Sequence, residues 1–444
     1  MPRDFNWICR KSKCGVGWRH DILRTGDVSS RGLSDVIRTA HGVTVLVLHL
    51  VCLPPAWSID ETRLGDVPDA AAWRGYLARS STLAAADRDT LAAEVQAAGL
   101  AAATKAPGGG DFRPPDADER EWYAGDEARR LADAVISFQT PAGGWSKHTA
   151  YSKGPRRPGM QWTSQSEPGR PPHYQATFDN AATVREIEFL SSVWKATGRD
   201  DCRAAAQRGF EFILAAQYPN GGWPQGFPLE GGYHDLITFN DDAMTNILVL
   251  LQAVTSTDPR YGFVDESLRT RLRSALDRGV ACVLAAQVRV DGRGTVWCAQ
   301  HDPLTLAPAA ARAFEPPALS GVESARLLRF LMSLEEPSDG VIAAIEAGLA
   351  WLDGATVTGV ARVERDGRTI YVEDRSSTER YWARFYDLAS GRPLFPGKNG
   401  VVYASFEEMA AANDKLGYDY FSTRPGSVLR TGQKKWRQKL EKAR

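Results

Sequence analysis

The sequence contains few of the residues that build zinc sites or disulfide scaffolds. Among its 444 residues there are six cysteines and seven histidines, and no two cysteines form a Cys-x-x-Cys pair. This scarcity argues against structural zinc and against a small disulfide-stabilised fold. Beyond the N-terminal region stand Cys202, Cys282 and Cys298, an odd number, so we expect at least one free thiol unless it pairs between chains.

The chain also lacks an excess of charge of either sign. Lys and Arg together number 54, as do Asp and Glu, and charged residues make up 24% of the chain. The chain therefore lacks the excess of positive charge that is typical of nucleic-acid-binding proteins. It also lacks the excess of negative charge that is typical of acidic disordered chains. We expect no nucleic-acid partner, and we expect the binding chemistry to come from local clusters of charge.

A hydrophobic run long enough to span a membrane is absent near the N-terminus. The apolar run Val43–Leu53 has eleven residues, which is too short for a membrane helix but suits the core of a secretory signal. A buried strand or helix is the alternative interpretation. We predict a poorly structured region over residues 1–58 that contains this signal, a true start near Val36, a secreted or periplasmic protein, and no membrane span after processing.

Composition divides the remainder into two parts. Residues 59–116 are rich in alanine and then in glycine and proline, which predicts a helical N-terminal extension followed by a linker at Pro107–Pro115. Residues 117–444 form the predicted main domain.

The main domain contains an internal repeat. Apolar residues at offsets of 0, 3, 4, 7 and 8 describe one helical face before Gln139, Gln217 and Gln287, with a weaker copy at Gly348–Leu352. The first two helices run into Gly-Gly-Trp, which we interpret as a helix terminator with a packing tryptophan.

A second set of helices alternates with the first. Thr177-Phe-Asp-Asn precedes a predicted helix from Val184 to Trp194, Thr238-Phe-Asn-Asp-Asp precedes one from Met244 to Val254, and Ser320–Glu323 is a capping box before a third. Alternating helices with few strands predict an all-α fold, an incomplete α/α toroid with short strands and long loops at one rim. The inner helices would all begin at that rim.

Acidic and amide side chains would therefore lie close together at the rim where the inner helices begin. Asp179, Asn180 and Asp241 offer oxygen ligands without His or Cys, which favours calcium or magnesium over zinc. Simple N-capping of the two helices is the plainer alternative. Spacing alone pairs Arg312 with Glu315 or with solvent, and a lone His such as His301 is more often a structural hydrogen-bonding residue.

The chain resembles the family 10 pectate lyases from about Trp122 to its end. Ordered motifs carry the resemblance: Phe138–Lys147, Thr177–Thr183, Tyr218–Gln225, Phe239–Ala243, Trp297–Asp302, Ala311–Glu315 and Arg380–Asp387. The resemblance implies a toroid-like catalytic domain over 117–444 and calcium-dependent anti β-elimination on α-1,4-polygalacturonate, giving 4,5-unsaturated oligogalacturonates.

The resemblance also implies roles for individual residues. It makes Arg312 the Brønsted base and places Ca²⁺ and a substrate carboxylate at Asp179, Asn180 and Asp241. The residues expected to bind substrate are Arg384, Lys398, His301, Lys147 and Tyr381. Several family members have arginine where Lys398 stands. Lysine keeps the positive charge at this position, but it lacks the planar guanidinium that binds two carboxylate oxygens at once. We expect a monomer that binds polygalacturonate.

Two other functions fit the same residues. A glycoside hydrolase on an α/α toroid could use Asp179 and Asp241 as acid and base. A sugar-binding toroid without catalysis is the other. Terpene cyclases share the repeat, but Asn240-Asp-Asp lacks their acidic spacing.

Overall fold

The computed structural model describes residues 59, 62–65, 67–116, 119–165, 175–365 and 367–443. These residues lie in one compact unit, Leu53–Arg444. The predicted signal segment falls outside the described residues and stays a prediction. Within the described part, no helix combines the length and apolarity needed to cross a bilayer.

Helices dominate the fold. In chain order they are α1 (Ala70–Ala97), α2 (Arg120–Ala124), α3 (Asp126–Ser137), α4 (Val184–Thr197), α5 (Asp200–Ala216), α6 (Ala243–Thr255), α7 (Glu266–Ala286), α8 (Gly321–Ser333), α9 (Asp339–Gly354), α10 (Phe406–Ala412), α11 (Arg424–Ser427) and α12 (Gln433–Ala443). The predicted starts and ends of α4 and α6 are correct to within a few residues, and Gly198 ends α4 in the left-handed region (φ 73°).

The helices alternate between two layers. The inner helices α4, α6 and α8 pack against the following helices α5, α7 and α9, and also against one another in sequence. The outer helices α3, α5, α7 and α9 likewise pack in succession. A continuous apolar core fills the space between the layers. The predicted α/α toroid is confirmed.

The repeated glutamines join successive outer helices. The side-chain Nε2 of Gln139 donates to the carbonyls of Gly143 (2.8 Å) and Ala205 (2.9 Å), and Gln217 does the same to Gly221 (2.9 Å) and Ala275 (2.8 Å). Gln287 repeats the pattern on Thr295 and Ala344. Each amide thus ties a terminal loop to the next outer helix, which satisfies carbonyls that the fold buries.

The repeated tryptophans close the ends of the outer helices. Indole Nε1 donates to a carbonyl of the preceding outer helix in four copies: Trp145 to Val135, Trp223 to Ile213, Trp297 to Val283 and Trp382 to Leu352. All four rings are fully buried. The interpretation of Gly-Gly-Trp as a terminator with a packing tryptophan is confirmed, and Trp382 provides a fourth copy without the glycines.

Short antiparallel strands occupy the rim. They are β1 (Ile237–Thr238), β2 (Arg289–Val290), β3 (Arg293–Gly294), β4 (Gln300–His301), β5 (Val360–Arg365), β6 (Arg368–Glu373), β7 (Trp382–Ala383), β8 (Phe385–Tyr386), β9 (Pro393–Pro396), β10 (Val402–Tyr403) and β11 (Phe421–Ser422). β1 pairs with β4 so that Ile237 faces His301, which fixes the loop before α6 against the loop before α8.

The N-terminal extension packs on the toroid instead of standing apart. Trp73 and Tyr76 of α1 contact the ring of Tyr218 (centroids 5.2 and 4.9 Å). The linker interpretation of Pro107–Pro115 is wrong, because Phe112 packs against Tyr151 and Phe189 and the segment is hydrogen-bonded to residues 148–150. Glycine and proline here shape a bound segment, not a flexible one.

Two smaller features complete the fold. The basic C-terminal segment is the helix α12, whose Trp436 is buried. Cys202, Cys282 and Cys298 are all free thiols and all buried. Burial raises the pKa of Cys282 and of Cys202 to about 12, so both thiols stay protonated and unreactive at neutral pH.

The Gly279→Ala variant tests the close contact between helix and tryptophan. A Cβ at this position in α7 would lie 2.6 Å from Leu248 Cδ2 and 2.8 Å from Trp223 Cζ3. We expect the free energy of unfolding to fall by about 1–3 kcal/mol from overpacking, although alanine gains about 1 kcal/mol in helix propensity. Urea denaturation measures the difference.

Gly75→Ala is the matched control. Gly75 lies in α1, and a Cβ there would meet nothing within 4 Å. This variant should therefore be stabilised by up to about 1 kcal/mol. Equal stabilisation of both variants would contradict the packing argument.

Candidate active site

Two strained turns precede the inner helices α4 and α6. Asn180 (φ 54°) interrupts the 3₁₀ turn Asp179–Ala181, and Asp241 (φ 50°) interrupts the turn Asn240–Asp242. Thr183 and Asp242, the residues directly before the helices, also have positive φ. Non-glycine residues in this region cost of order 1–3 kcal/mol each, and such strain persists only where the surrounding structure imposes it.

The strained turns do not cap the helices. Neither α4 nor α6 has a side-chain hydrogen bond at its N-cap, so the N-capping interpretation of Asp179 and Asp241 is wrong. Only α8 among the three uses its predicted cap: the hydroxyl of Ser320 accepts from the backbone N–H of Val322 and of Glu323. The left-handed backbone turns the acidic side chains away from the helix ends.

The turns open into one cleft. The cleft has a volume of about 480 Å³ and is lined by Asp111, Arg113, Asn180, Ala181, Arg185, Asp241, Asp242, Asn246, Val322, Glu323, Arg326, Arg384, Asp419, Phe421, Ser422 and Arg424. These residues include the starts of α4, α6 and α8. The expectation that consecutive inner helices begin at a common rim is confirmed.

Asp241 and Asp242 both have raised pKa values in this group, each about 6. Burial and the nearby negative charge of Asp179 raise the pKa of Asp241 to about 6, while Arg384, 3.7 Å away, opposes the rise. A carboxylate that is desolvated beside another carboxylate favours a bound proton or a cation. A positive charge bound next to Asp241 is therefore electrostatically favourable.

Asp179 offers one oxygen for such a charge. Its Oδ2 accepts from the Nζ of Lys147 at 2.5 Å. Its Oδ1 is buried and has no hydrogen-bond partner among the described residues. A buried carboxylate oxygen without a described partner fits a cation, and Asn180 and Asp241, which line the cleft, offer two further oxygen ligands.

A complete protein cage for a metal is not formed. Within the described ranges, no three His, Cys, Asp or Glu side chains converge closely enough to hold an ion. Two carboxylates and one amide fit an ion that takes its remaining oxygen ligands from water or from an anionic substrate.

Arg384 lies buried between β7 and β8 and faces the same cleft. Its Nη2 donates to Glu323 Oε1 (2.5 Å) and to Asn240 Oδ1 (2.9 Å). Its Nε is buried without a partner in the described part of the chain. The guanidinium carbon lies 3.6 Å from the centre of the Tyr418 ring, a cation–π contact.

Arg312 is joined to this cluster through Tyr418. Its guanidinium binds Glu315 in a bidentate manner (2.7 and 2.8 Å) and also donates to the hydroxyl of Tyr418. That hydroxyl donates to Asn240 Oδ1 at 3.2 Å. The pairing of Arg312 with Glu315, expected from spacing, is confirmed. Partial burial lowers the pKa of Arg312, but the hydrogen bonds that it donates to Glu315 raise that pKa above its usual value overall.

Six of the predicted site residues do not line the cleft, namely Asp179, Lys147, Arg312, Lys398, Tyr381 and His301. Lys398 Nζ is exposed and stands 5.7 Å from the ring of Phe314, on which Arg312 also lies (4.8 Å). Tyr381 is buried against Tyr371 and against Phe421, a residue that does line the cleft.

His301 has a structural role. Its ring is fully buried, Nδ1 bonds the carbonyl of Leu306 (2.8 Å), and Nε2 accepts from the N–H of Cys298 (3.1 Å). Burial lowers its pKa to about 4, so the ring stays neutral. Because both nitrogens bond backbone, the ring offers no group to substrate, which corrects the substrate-binding assignment and supports the plainer alternative.

Sequence reasoning missed several residues of the cleft lining and of the charge network beside it. Tyr418 belongs to none of the sequence motifs, and only the structure shows that it lies between Arg312 and Arg384. Glu323 was assigned to a helix cap, yet its Oε1 binds Arg384. Asp111 and Arg113 were assigned to a linker.

The comparisons with known proteins agree with this arrangement. The family model described as pectic acid lyase matches residues 139–429. A family 10 polysaccharide lyase from Cellvibrio cellulosa is 30% identical, with a TM-score of 0.59, over 73% of this chain and 98% of that one. A mutant of that enzyme in complex with trigalacturonic acid gives the same score and identity over 72% and 99%. No curated protein matches the chain.

The family model spans more than half of the sequence, and the solved relatives are matched over nearly their whole length. The toroid thus belongs to a known enzyme class, and the hydrolase alternative is not supported. The chain belongs to the pectic acid lyase family and is a family 10 pectate lyase.

Proposed function

We propose that the chain cleaves α-1,4-linked polygalacturonate by calcium-dependent anti β-elimination. The observation that carries the proposal is the convergence of Asn180, Asp241 and Arg384 in one cleft, with Asp179 and Arg312 in the same charge network. The complex of a related lyase with trigalacturonic acid supports polygalacturonate as the substrate class.

The chemistry requires charge stabilisation at the substrate carboxylate. Removal of the C5 proton moves negative charge onto the C6 carboxylate. The C4–O4 bond then breaks to leave a C4–C5 double bond, and the departing O4 takes up a proton from water. Calcium, when bound, supplies positive charge next to that carboxylate. Asp179 Oδ1, Asn180 and Asp241 would hold the ion, while Arg384 and Lys398 would bind uronate carboxylates.

Arg312 is the proposed base. In the conformation observed, Glu315 and Tyr418 keep its guanidinium in the protonated form, in which it cannot accept the C5 proton. Acting as a base therefore requires Arg312 to exchange Glu315 for substrate. Positive charges around the loaded cleft would then favour the neutral form.

One assay tests the reaction itself. Polygalacturonate is incubated with the protein in calcium and, separately, in excess chelator, and ultraviolet absorbance of the unsaturated product is followed. We expect product only with calcium. New reducing ends without absorbance would indicate hydrolysis, and binding without turnover would indicate an inactive relative.

The Asp241→Asn variant tests the cation site without relying on activity. Because the folded-state pKa of Asp241 is raised to about 6, its ionisation destabilises the calcium-free protein as pH rises from about 4 to 6. At pH 7 and without calcium, the variant should therefore melt at a higher temperature than the wild type. Calcium should raise the melting temperature of the wild type but not that of the variant.

Asp200→Asn serves as the control, because Asp200 lies exposed on the outer helix α5 with a side chain 80% exposed. This variant should keep the calcium-induced shift. An equal shift in Asp241→Asn and the wild type would remove Asp241 from the site.

The Arg312→Ala variant tests the base. Loss of a general base typically reduces kcat by about 10²–10⁴-fold, and we expect such a loss with a smaller change in KM. Steady-state kinetics on polygalacturonate measure both constants. Arg271→Ala, on the outer face of α7 where Arg271 pairs with Glu211, should match the wild type. Retention of wild-type kcat by Arg312→Ala would exclude the proposed base.

A further inference from the structure

The segment Pro107–Asp116 forms a fixed wall beside the cleft. Its backbone bonds the main domain at one end, where Gly109 N donates to His148 O (2.8 Å). At the other end the hydroxyl of Tyr123 donates to Pro115 O (2.6 Å). Phe112 anchors the middle in an aromatic pocket, and Pro114 and Pro115 restrict the backbone further. The segment is therefore preorganised.

The wall is connected directly to the strained turn at Asn180. The Nη1 of Arg185, in α4, donates to the carbonyl of Phe112 (3.1 Å) and to the carbonyl of Asn180 (3.2 Å). One guanidinium thus sets the distance between the wall and the proposed cation site. Arg113 follows Phe112, so its position relative to that site is also fixed.

Arg113 presents its guanidinium to solvent at this wall. Its side chain is 74% exposed, and Nη2 donates to Asp111 Oδ2 at 3.0 Å. Asp111 is in turn held by His148 Nε2 at 3.1 Å. Arg113 and its neighbours lower the pKa of Asp111, so that carboxylate stays ionised and orients the arginine.

Arg113 and Arg185 also join two cavities. Both line the cleft of about 480 Å³, and both line a neighbouring cavity of about 360 Å³ that runs along Pro114, Pro115 and Arg260. The two cavities form a path that extends from Asp241 past Arg113. A polymer that is bound at the cleft could continue along this path, whereas a short oligomer need not reach it.

The family match does not cover this wall. The family model begins at residue 139, after the segment Pro107–Asp116. We propose that Arg113 binds a uronate carboxylate of the polymer at an additional subsite, beyond the reaction centre. The inference rests on the proposed function for its substrate. An exposed, oriented guanidinium beside an elongated cavity matches a carboxylate better than a lysine would, because its planar fork binds two oxygens.

The Arg113→Ala variant tests the subsite. We expect KM for polygalacturonate to rise about tenfold with kcat unchanged, as loss of one charge-assisted contact predicts. Trigalacturonate kinetics should change much less, because the short chain need not span both cavities. Arg113→Lys should recover part of the affinity, since it keeps the charge but not the fork.

Arg375→Ala is the matched control. Arg375 donates to the carboxylate of Glu373, two residues upstream, at 3.1 Å and is 92% exposed, which reproduces the Arg113–Asp111 pair away from the cleft. This variant should keep the KM of the wild type. A KM for Arg113→Ala equal to that of Arg375→Ala on the polymer would overturn the proposal, and so would an equal loss on trigalacturonate.

Affinity electrophoresis separates this inference from the proposed function. Mobility is measured in gels with polygalacturonate and in gels with fully methyl-esterified pectin, which lacks free carboxylates. We expect Arg113→Ala to weaken retardation by polygalacturonate only. If the wild type yields no unsaturated product, the proposed reaction fails, while these gels still decide whether Arg113 binds the polymer. Unchanged retardation by polygalacturonate would exclude the subsite.

Discussion

Repulsion between two partly desolvated carboxylates is the constraint on which the rest of this site depends. Asp179 and Asp241 precede consecutive inner helices, and burial together with the charge of Asp179 raises the pKa of Asp241 to about 6. Lys147 neutralises one oxygen of Asp179, and Arg384 reaches only within 3.7 Å of Asp241. The remaining imbalance favours a bound proton or a cation at Asp241, and calcium is the cation that we propose.

The scaffold supplies the rigidity that this imbalance requires. Left-handed backbone at Asn180 and Asp241 costs energy, and it persists because buried tryptophans and glutamines fix the loops on both sides. With an ordinary backbone conformation, the polar side chains before α4 and α6 could cap these helices and accept hydrogen bonds from their free N–H groups. The strained turns therefore lower the stability of the helix starts and place Asp241 at the cleft, with Asp179 buried beside Lys147.

Tyr418 couples the acidic side of the cleft to its basic side. Its hydroxyl contacts Arg312, Glu315 and Asn240, and its ring lies against the guanidinium of Arg384. A change in any one of these groups alters the electrostatic environment of the others. The protonated state of Arg312 in the observed conformation thus reflects a network, not a single ion pair.

Local chemistry along the sequence determined the repeat, the alternation of helices and the residues at their starts, because apolar periodicity and terminal residues act over a few neighbours. The structure confirmed the common rim and the pairing of Arg312 with Glu315. Tertiary packing alone decided three other points. It buried His301 against backbone partners, it brought Tyr418 between two arginines distant in sequence, and it laid Pro107–Pro115 against the cleft. Each depends on long-range contacts that determine burial and hydrogen-bond partners, which no window of neighbouring residues contains.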